Sequence, residues 1–309
     1  MSILVVGSLA YDTIETPWGK MDDALGGSAL YFSAAASHFS PVNVVGVVGS
    51  DFDSSKISFL KKRKVNFDGL YVESGDTFRW GGRYHDDLNK RDTLFTYLNV
   101  FERFQPKIPM HYRKSEYVFL ANIDPELQLQ VLDQIDHPKL IVLDTMNFWI
   151  SGKRRILEEV IKRCDILIVN DQEARELTNK PNLIKAARLL TEKGPQTIIV
   201  KKGEHGCMMF HNDNYFFAPA YPLEKVIDPT GAGDSFAGGF LGYVAKQNKL
   251  DHDTLKKGVV YGSVIASFNV ENFSFAQLEK LTVEEINQPV SYTHLRAHET
   301  VLDLVCRLL

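Results

Sequence analysis

The residues best placed to do chemistry run from Ile227 to Phe236, Ile-Asp-Pro-Thr-Gly-Ala-Gly-Asp-Ser-Phe, and lead into an unbroken helical pattern. Gly231, Ala232 and Gly233 stand where a loop enters that helix. Backbone N–H groups at such a point have no acceptor inside the helix, and the helix dipole adds positive potential, so the turn is an anion site. Glycine lets the main chain approach the anion closely. Asp234 follows on the first helical turn. A carboxylate beside a phosphate-sized anion can take a proton from an attacking hydroxyl. Taken alone, such a string is more often a Gly-rich turn whose Asp caps a helix, so the rest of the chain has to be weighed with it.

The rest supports the chemical reading. From Asp228 to Phe236 the string closely resembles the C-terminal signature of the PfkB, or ribokinase-like, family of carbohydrate kinases, in which Gly-Ala-Gly precedes the catalytic Asp. Weaker features follow in the family's order: the opening Gly-Ser-Leu-Ala-Tyr-Asp ending at Asp12, the paired Gly26 and Gly27, Asn170-Asp171-Gln172-Glu173, and Lys201-Lys202-Gly203-Glu204-His205-Gly206. Each has an ordinary explanation of its own: a strand end, a turn, a helix cap with its capping partner. The resemblance covers roughly Met1 to Gln288.

The resemblance implies an ATP-dependent phosphotransferase that moves the γ-phosphoryl group to a primary hydroxyl of a small sugar. Asp234 would be the general base, and Gly231, Ala232 and Gly233 the anion hole. Asp12, Gly26, Gly27 and Tyr31 would meet the substrate, and Lys201, Gly203 and Gly206 the nucleotide. Asn170 and Glu173 would place Mg2+ largely through water, and Asp228 and Thr230 match positions that hold a monovalent cation in some relatives. A nucleoside kinase on the same fold is the alternative. From another class, a non-catalytic sugar- or nucleotide-binding regulator is expected to lose Asp234 or the anion-hole glycines, and neither is lost.

Departures bear on the acceptor. Where ribokinases proper carry two sugar-binding asparagines, this chain has Ala10 and Tyr31. That weakens a ribose assignment and suggests a planar group stacking on the Tyr31 ring. The glycine expected in the later half of the cation site is absent from Asn269–Ser274, so dependence on a monovalent cation stays open. No Gly-x-Gly-x-x-Gly follows the first strand, no Walker-type Gly-x-x-x-x-Gly-Lys occurs, and no protein-kinase motif set is present.

The elements that must position these residues follow a βα rhythm. Ile3–Gly7 and Val42–Val48 read as buried parallel strands flanking a helix over Ser28–Phe39. From Tyr117 the rhythm resumes, with helices from Pro125, Lys153, Asp171 and Leu183, and a hairpin after Gly206. Two long helices, Ala232–Asn248 and Asp251–Phe268, close the chain. The expected fold is α/β, a mostly parallel central sheet with helices on both faces. Short aromatic and β-branched pieces between 67 and 100 predict a small antiparallel β lid, which holds Trp80, Arg83 and Tyr84 and is a candidate homodimer seam. The chain reads as one kinase domain over 1–288.

Residues 289–309 resemble a translated sequencing-adapter read-through rather than native sequence; the alternative is an amphipathic C-terminal helix. Over the 309 residues, 44% are hydrophobic, and 35 basic side chains face 39 acidic ones, for a net charge of −4. That balance gives no general attraction to nucleic acid or anionic lipid, and no run is long and apolar enough to span a bilayer. Cys164, Cys207 and Cys306 form no CxxC pair and suit a reducing compartment, so a cytoplasmic location is expected.

Overall fold

The computed structural model describes residues 2–290. Strand β1 (Ile3–Val6) explains why the central sheet is buried on both faces: Ile3 and Val5 enter one apolar core, Leu4 and Val6 the other. A parallel strand covered on both sides needs such a continuous aliphatic run. The chain then forms β2 (Ala10–Thr16), β3 (Gly19–Gly26), α1 (Ser28–Ala36), β4 (Val42–Gly49), α2 (Ser58–Lys62) and β5 (Val65–Glu73). Strands β6 (Phe78–Tyr84), β7 (Arg91–Tyr97) and β8 (Tyr117–Leu120) follow, then α3 (Pro125–Leu132), β9 (Leu140–Asp144), α4 (Asn147–Gly152) and α5 (Arg154–Ile161). Next come β10 (Ile166–Asn170), α6 (Asp171–Thr178), α7 (Leu183–Thr191), β11 (Thr197–Lys201) and the hairpin β12 (Cys207–His211) and β13 (Asn214–Ala218). Helices α8 (Ala232–Gln247), α9 (His252–Val270), α10 (Ala276–Lys280) and α11 (Val283–Pro289) end the described chain.

Nine strands pair in the order β13-β12-β11-β10-β9-β8-β1-β4-β5, parallel from β11 to β5, with the β12–β13 hairpin antiparallel at one edge. Helices α1, α8 and α9 pack on one face; α3, α5, α6 and α7 pack on the other. The strand order reverses at β1, since the chain goes first to β4 on one side and later to β8 on the other. Ligand crevices of open α/β sheets form at such a switch point, outside the carboxyl ends of the strands.

A second sheet of four strands, β3-β2-β6-β7, forms the lid. Its composition corrects the expected boundaries. The segment read as the lid's first strand, from Phe67, belongs to β5 and pairs parallel with β4 in the central sheet. Half of the lid comes instead from 10–26, as the β2–β3 hairpin, and β2 joins β6 in parallel. That pairing joins segments far apart in sequence, which no local pattern signals. One lid face carries Ile14, Ala24 and Tyr84 packed with Trp80 and Phe273.

Pro289 and Val290, assigned from the sequence to the foreign tail, are buried: Pro289 closes α11 and Val290 joins the core. Residues 291–309 lie outside the described residues. Among the described residues no helix is long and apolar enough to cross a membrane.

Candidate active site

The carboxyl ends of β9, β10 and β11 and the start of α8 supply most of the polar groups in the crevice. Gly231 is the N-cap of α8 in a left-handed conformation, φ 72°, and no side chain caps the helix. The turn is anchored from below. Asp228, fully buried, accepts the Thr230 N–H at 2.8 Å on one carboxylate oxygen and the Ser274 N–H at 3.1 Å on the other. The Asn269 side chain donates to the Thr230 carbonyl at 2.9 Å. The N–H groups of Ala232 and Ser235 bond to the Pro229 and Gly231 carbonyls, which leaves those of Gly233 and Asp234 without a backbone acceptor. Donors that the main chain does not use, at a positive helix end, are what an anion needs.

Asp234 stands in that first turn with Oδ1 shielded and without a hydrogen-bond partner. Burial, then the Asp144 carboxylate, raises its pKa, while the Lys201 ammonium and the Arg91 guanidinium oppose the rise. Asp12, on β2, is 5% exposed and pushed up to about 8 by burial and by the negative charges of Asp228 and Asp234. Burial and neighbouring negative charge thus hold both carboxyls above the ordinary carboxylate range, and the Arg91 guanidinium acts against the rise at each.

The remaining expected site residues fall as follows. A Cβ on Gly26 would sit 2.0 Å from Asp12 Oδ2, so this glycine makes room for the Asp12 carboxyl. Gly27, at φ 95°, brings the start of α1 against the Ser8 carbonyl. Asn170 and Glu173 form a full capping box on α6: the Asn170 N–H donates to Glu173 Oε2 at 2.7 Å and the Glu173 N–H to Asn170 Oδ1 at 2.8 Å. Glu173 is nonetheless at the crevice, buried, pushed up to about 7 by desolvation, and close enough to Lys201 and Asp144 to feel both. Lys201 Nζ lies 3.6 Å from Asp144 Oδ1. Gly203, at φ 54°, faces Asn89 of the lid, whereas Gly206, at φ 78°, is a turn glycine packed on the Ala218–Ala220 backbone.

Tyr31 departs from expectation. Its ring is 1% exposed, wedged under Gly231 and edge-on to Phe275 at 5.6 Å between centroids. It offers no free face for stacking; its bulk supports the anion turn. Asp228 and Thr230 also serve that turn, since Thr230 Oγ1 donates to the Tyr84 hydroxyl of the lid at 3.1 Å. Three participants escaped the sequence reading: Asp144, Asn269 and Arg91. The acidic end of the apolar run Leu140–Asp144 was the available signal for the first. Arg91, opposite Tyr84 on β7 and over the Trp80 ring at 5.2 Å, had none.

A mostly parallel sheet with a helix-start anion turn, an adjacent unpaired carboxylate and a small lid defines a kinase of ribokinase-like fold. Comparison with known proteins agrees. The model of the pfkB family of carbohydrate kinases matches residues 2–277. A cytidine kinase from Thermococcus kodakarensis is 27% identical over 257 residues, covering 81% of this chain and 91% of its own. A nucleoside kinase from Methanocaldococcus jannaschii is 28% identical over 78% of this chain and 79% of its own. The crystal structure of a nucleoside kinase from that organism superposes with a TM-score of 0.75 at 24% identity, covering 94% of this chain and 98% of that one. An aminoimidazole riboside kinase from Salmonella enterica, solved with aminoimidazole riboside and an ATP analogue, gives 0.72 at 18% identity over 94% of this chain and 99% of its own. The chain belongs to the pfkB family of carbohydrate kinases and is an ATP-dependent phosphotransferase of the sugar- and nucleoside-kinase type.

Proposed function

We propose that the acceptor is a nucleoside, phosphorylated on its primary hydroxyl between Asp12 and Asp234. The observation that carries the transfer chemistry is the pair of N–H groups at Gly233 and Asp234 that the main chain leaves unused, beside the unpaired Asp234 Oδ1. The nucleoside is favoured over a free sugar by the cytidine and nucleoside kinases among the relatives.

In this reading Asp12 holds the acceptor hydroxyls and Asp234 takes the proton of the attacking O–H. A bond forms between the acceptor oxygen and the γ-phosphorus. The bond from that phosphorus to the β–γ bridging oxygen breaks, and its electron pair leaves with ADP. The N–H groups of the α8 start and the Gly231–Gly233 turn meet charge on the transferring group. Lys201 and Gly203, at the end of β11, face the nucleotide side; Gly206 shapes the turn behind them.

When bound, Mg2+ neutralises charge on the β- and γ-oxygens. Glu173, half engaged by its cap, and Asn170 suit an ion held through water. Among the described residues no group of three or more His, Cys, Asp or Glu forms a cage. Each Asp228 oxygen accepts one backbone N–H and keeps a second lone pair that a monovalent cation could use. We assign Asp228 and Thr230 to anchoring the turn. Measuring ADP release and product mass across a panel of nucleosides and free sugars tests the reading. Turnover confined to free sugars would reject the nucleoside, and none with any acceptor would reject the kinase.

A further inference from the structure

We propose that Lys201 is a catalytic residue of the transfer, its ammonium binding the transferring phosphoryl group, and that Asp144 is the positioning residue that holds it under the anion turn. This rests on the kinase reading above and adds a cation to it.

The geometry is specific. Lys201 ends β11 and reaches across β10 toward Asp144, which ends β9. The two charges are 3.6 Å apart, longer than a hydrogen bond, and Asp144 Oδ1 has no hydrogen-bond partner, nor has the neighbouring Thr145 Oγ1. A buried pair kept for stability alone is expected to be short and saturated, because desolvating both charges is costly otherwise. This one is loose. On its other side a Cβ placed on Gly233 would lie 2.8 Å from Nζ, so nothing separates the ammonium from the first turn of α8. An anion seated on the Gly233 and Asp234 N–H groups is thus within reach of Nζ. Lysine serves phosphate as a mobile point charge, and a loose tether to Asp144 lets it follow the phosphoryl group. Lys201 gives up no proton. Its charge meets the electron pair that departs to the bridging oxygen. The same ammonium opposes the effect of burial on Asp234 and so keeps that carboxylate available as a base.

Lys201→Met alone leaves Asp144 buried without a counter-charge and is expected to lower stability. The informative variant is therefore Lys201→Met with Asp144→Asn, which removes both charges together. Three quantities are measured: melting temperature, kcat and acceptor KM from ADP release, and affinities for ATP and ADP by calorimetry without acceptor. We expect the double variant to melt near the wild type, with kcat down by roughly 10²–10³-fold. Acceptor KM should hold, and the preference for ATP over ADP should shrink by about tenfold or more. A folded double variant with kcat and the ATP-to-ADP ratio both within about threefold of wild type would overturn the proposal and make the pair structural. Lys201→Thr with Asp144→Asn, a smaller pair, supplies the same comparison if the first does not fold. The nucleotide arm needs no acceptor, so an error about the nucleoside leaves it standing.

Discussion

Alanine at Gly231 and alanine at Gly233 each add one methyl group to the same turn, yet they are expected to fail in different ways. From the sequence both lie at a loop tip. In the structure Gly231 has φ 72°, and its Cβ would lie 2.2 Å from Cγ of Tyr31, a ring that is 1% exposed and held by Phe275. The left-handed conformation costs alanine about 1–2 kcal/mol. Forcing a methyl group into a filled core costs a further 1–3 kcal/mol or so, about 2–5 in total. At roughly 2 °C per kcal/mol for a chain of this size, melting should fall by about 4–10 °C. Gly233 is helical, where alanine is favoured by up to about 1 kcal/mol, so stability should hold or rise slightly. Its methyl group would instead meet Lys201 Nζ at 2.8 Å, the far end of a flexible side chain. It would also crowd the Gly233 and Asp234 N–H groups, so turnover should fall by about tenfold or more, toward the range seen on losing an oxyanion donor. Differential scanning calorimetry and coupled ADP release on the two variants make the comparison. Wild-type melting for Gly231→Ala, or wild-type turnover for Gly233→Ala, would refute the corresponding half of the argument.

Other outcomes follow from the same crevice. Asp12, pushed up to about 8 when folded against an ordinary 3.8, binds its proton more tightly in the native state, so its contribution is present at acid pH and lost as pH rises through that window. Asp12→Asn should therefore flatten the fall in melting temperature between pH 5 and pH 8, roughly the window between those two values; identical profiles would contradict it. Because Asp234 is raised too, the acid limb of kcat/KM should lie above the usual carboxylate range, and a limb within that range would place another group in the role of base. Removing the Tyr84 hydroxyl in Tyr84→Phe loses the bond to Thr230 and should lower stability by about 0.5–1.5 kcal/mol, read from chemical denaturation. Truncation after Val290 should leave melting and turnover intact, whereas truncation after Gln288 removes buried Pro289 and Val290 and should cost a few degrees.

Much of this site was legible because its central motif is contiguous. Gly231 to Asp234 form a helix start, a local structure that local residues specify. The βα rhythm was legible for the same reason, each strand and helix declaring its own periodicity. What could not be read depends on pairing across the chain. Strand β2 meets β6, so half of the lid was hidden in a stretch whose pattern resembles a loop. Asp144 reaches Lys201 only because β10 lies between their strands, a fact of sheet order. Tyr31 was misjudged for a related reason. Its residue type suggests stacking, while its place on α1 beneath Gly231 requires it to fill space. The Asn170–Glu173 spacing fits both a cap and an ion site, and the cap is formed.

In the proposed transfer, Asp234 takes the acceptor's proton while the neighbouring turn holds the phosphoryl group. Its most direct test compares wild type with Asp234→Asn, using ATP and cytidine or the best acceptor found. Formation of the phosphorylated product is followed by phosphorus NMR, and ATP affinity is measured in parallel. Asparagine keeps the size and the helix start but cannot accept the proton, so kcat should fall by about 10²–10⁴-fold while ATP affinity changes by less than about threefold. Product formation by Asp234→Asn at a near-wild-type rate would contradict the account.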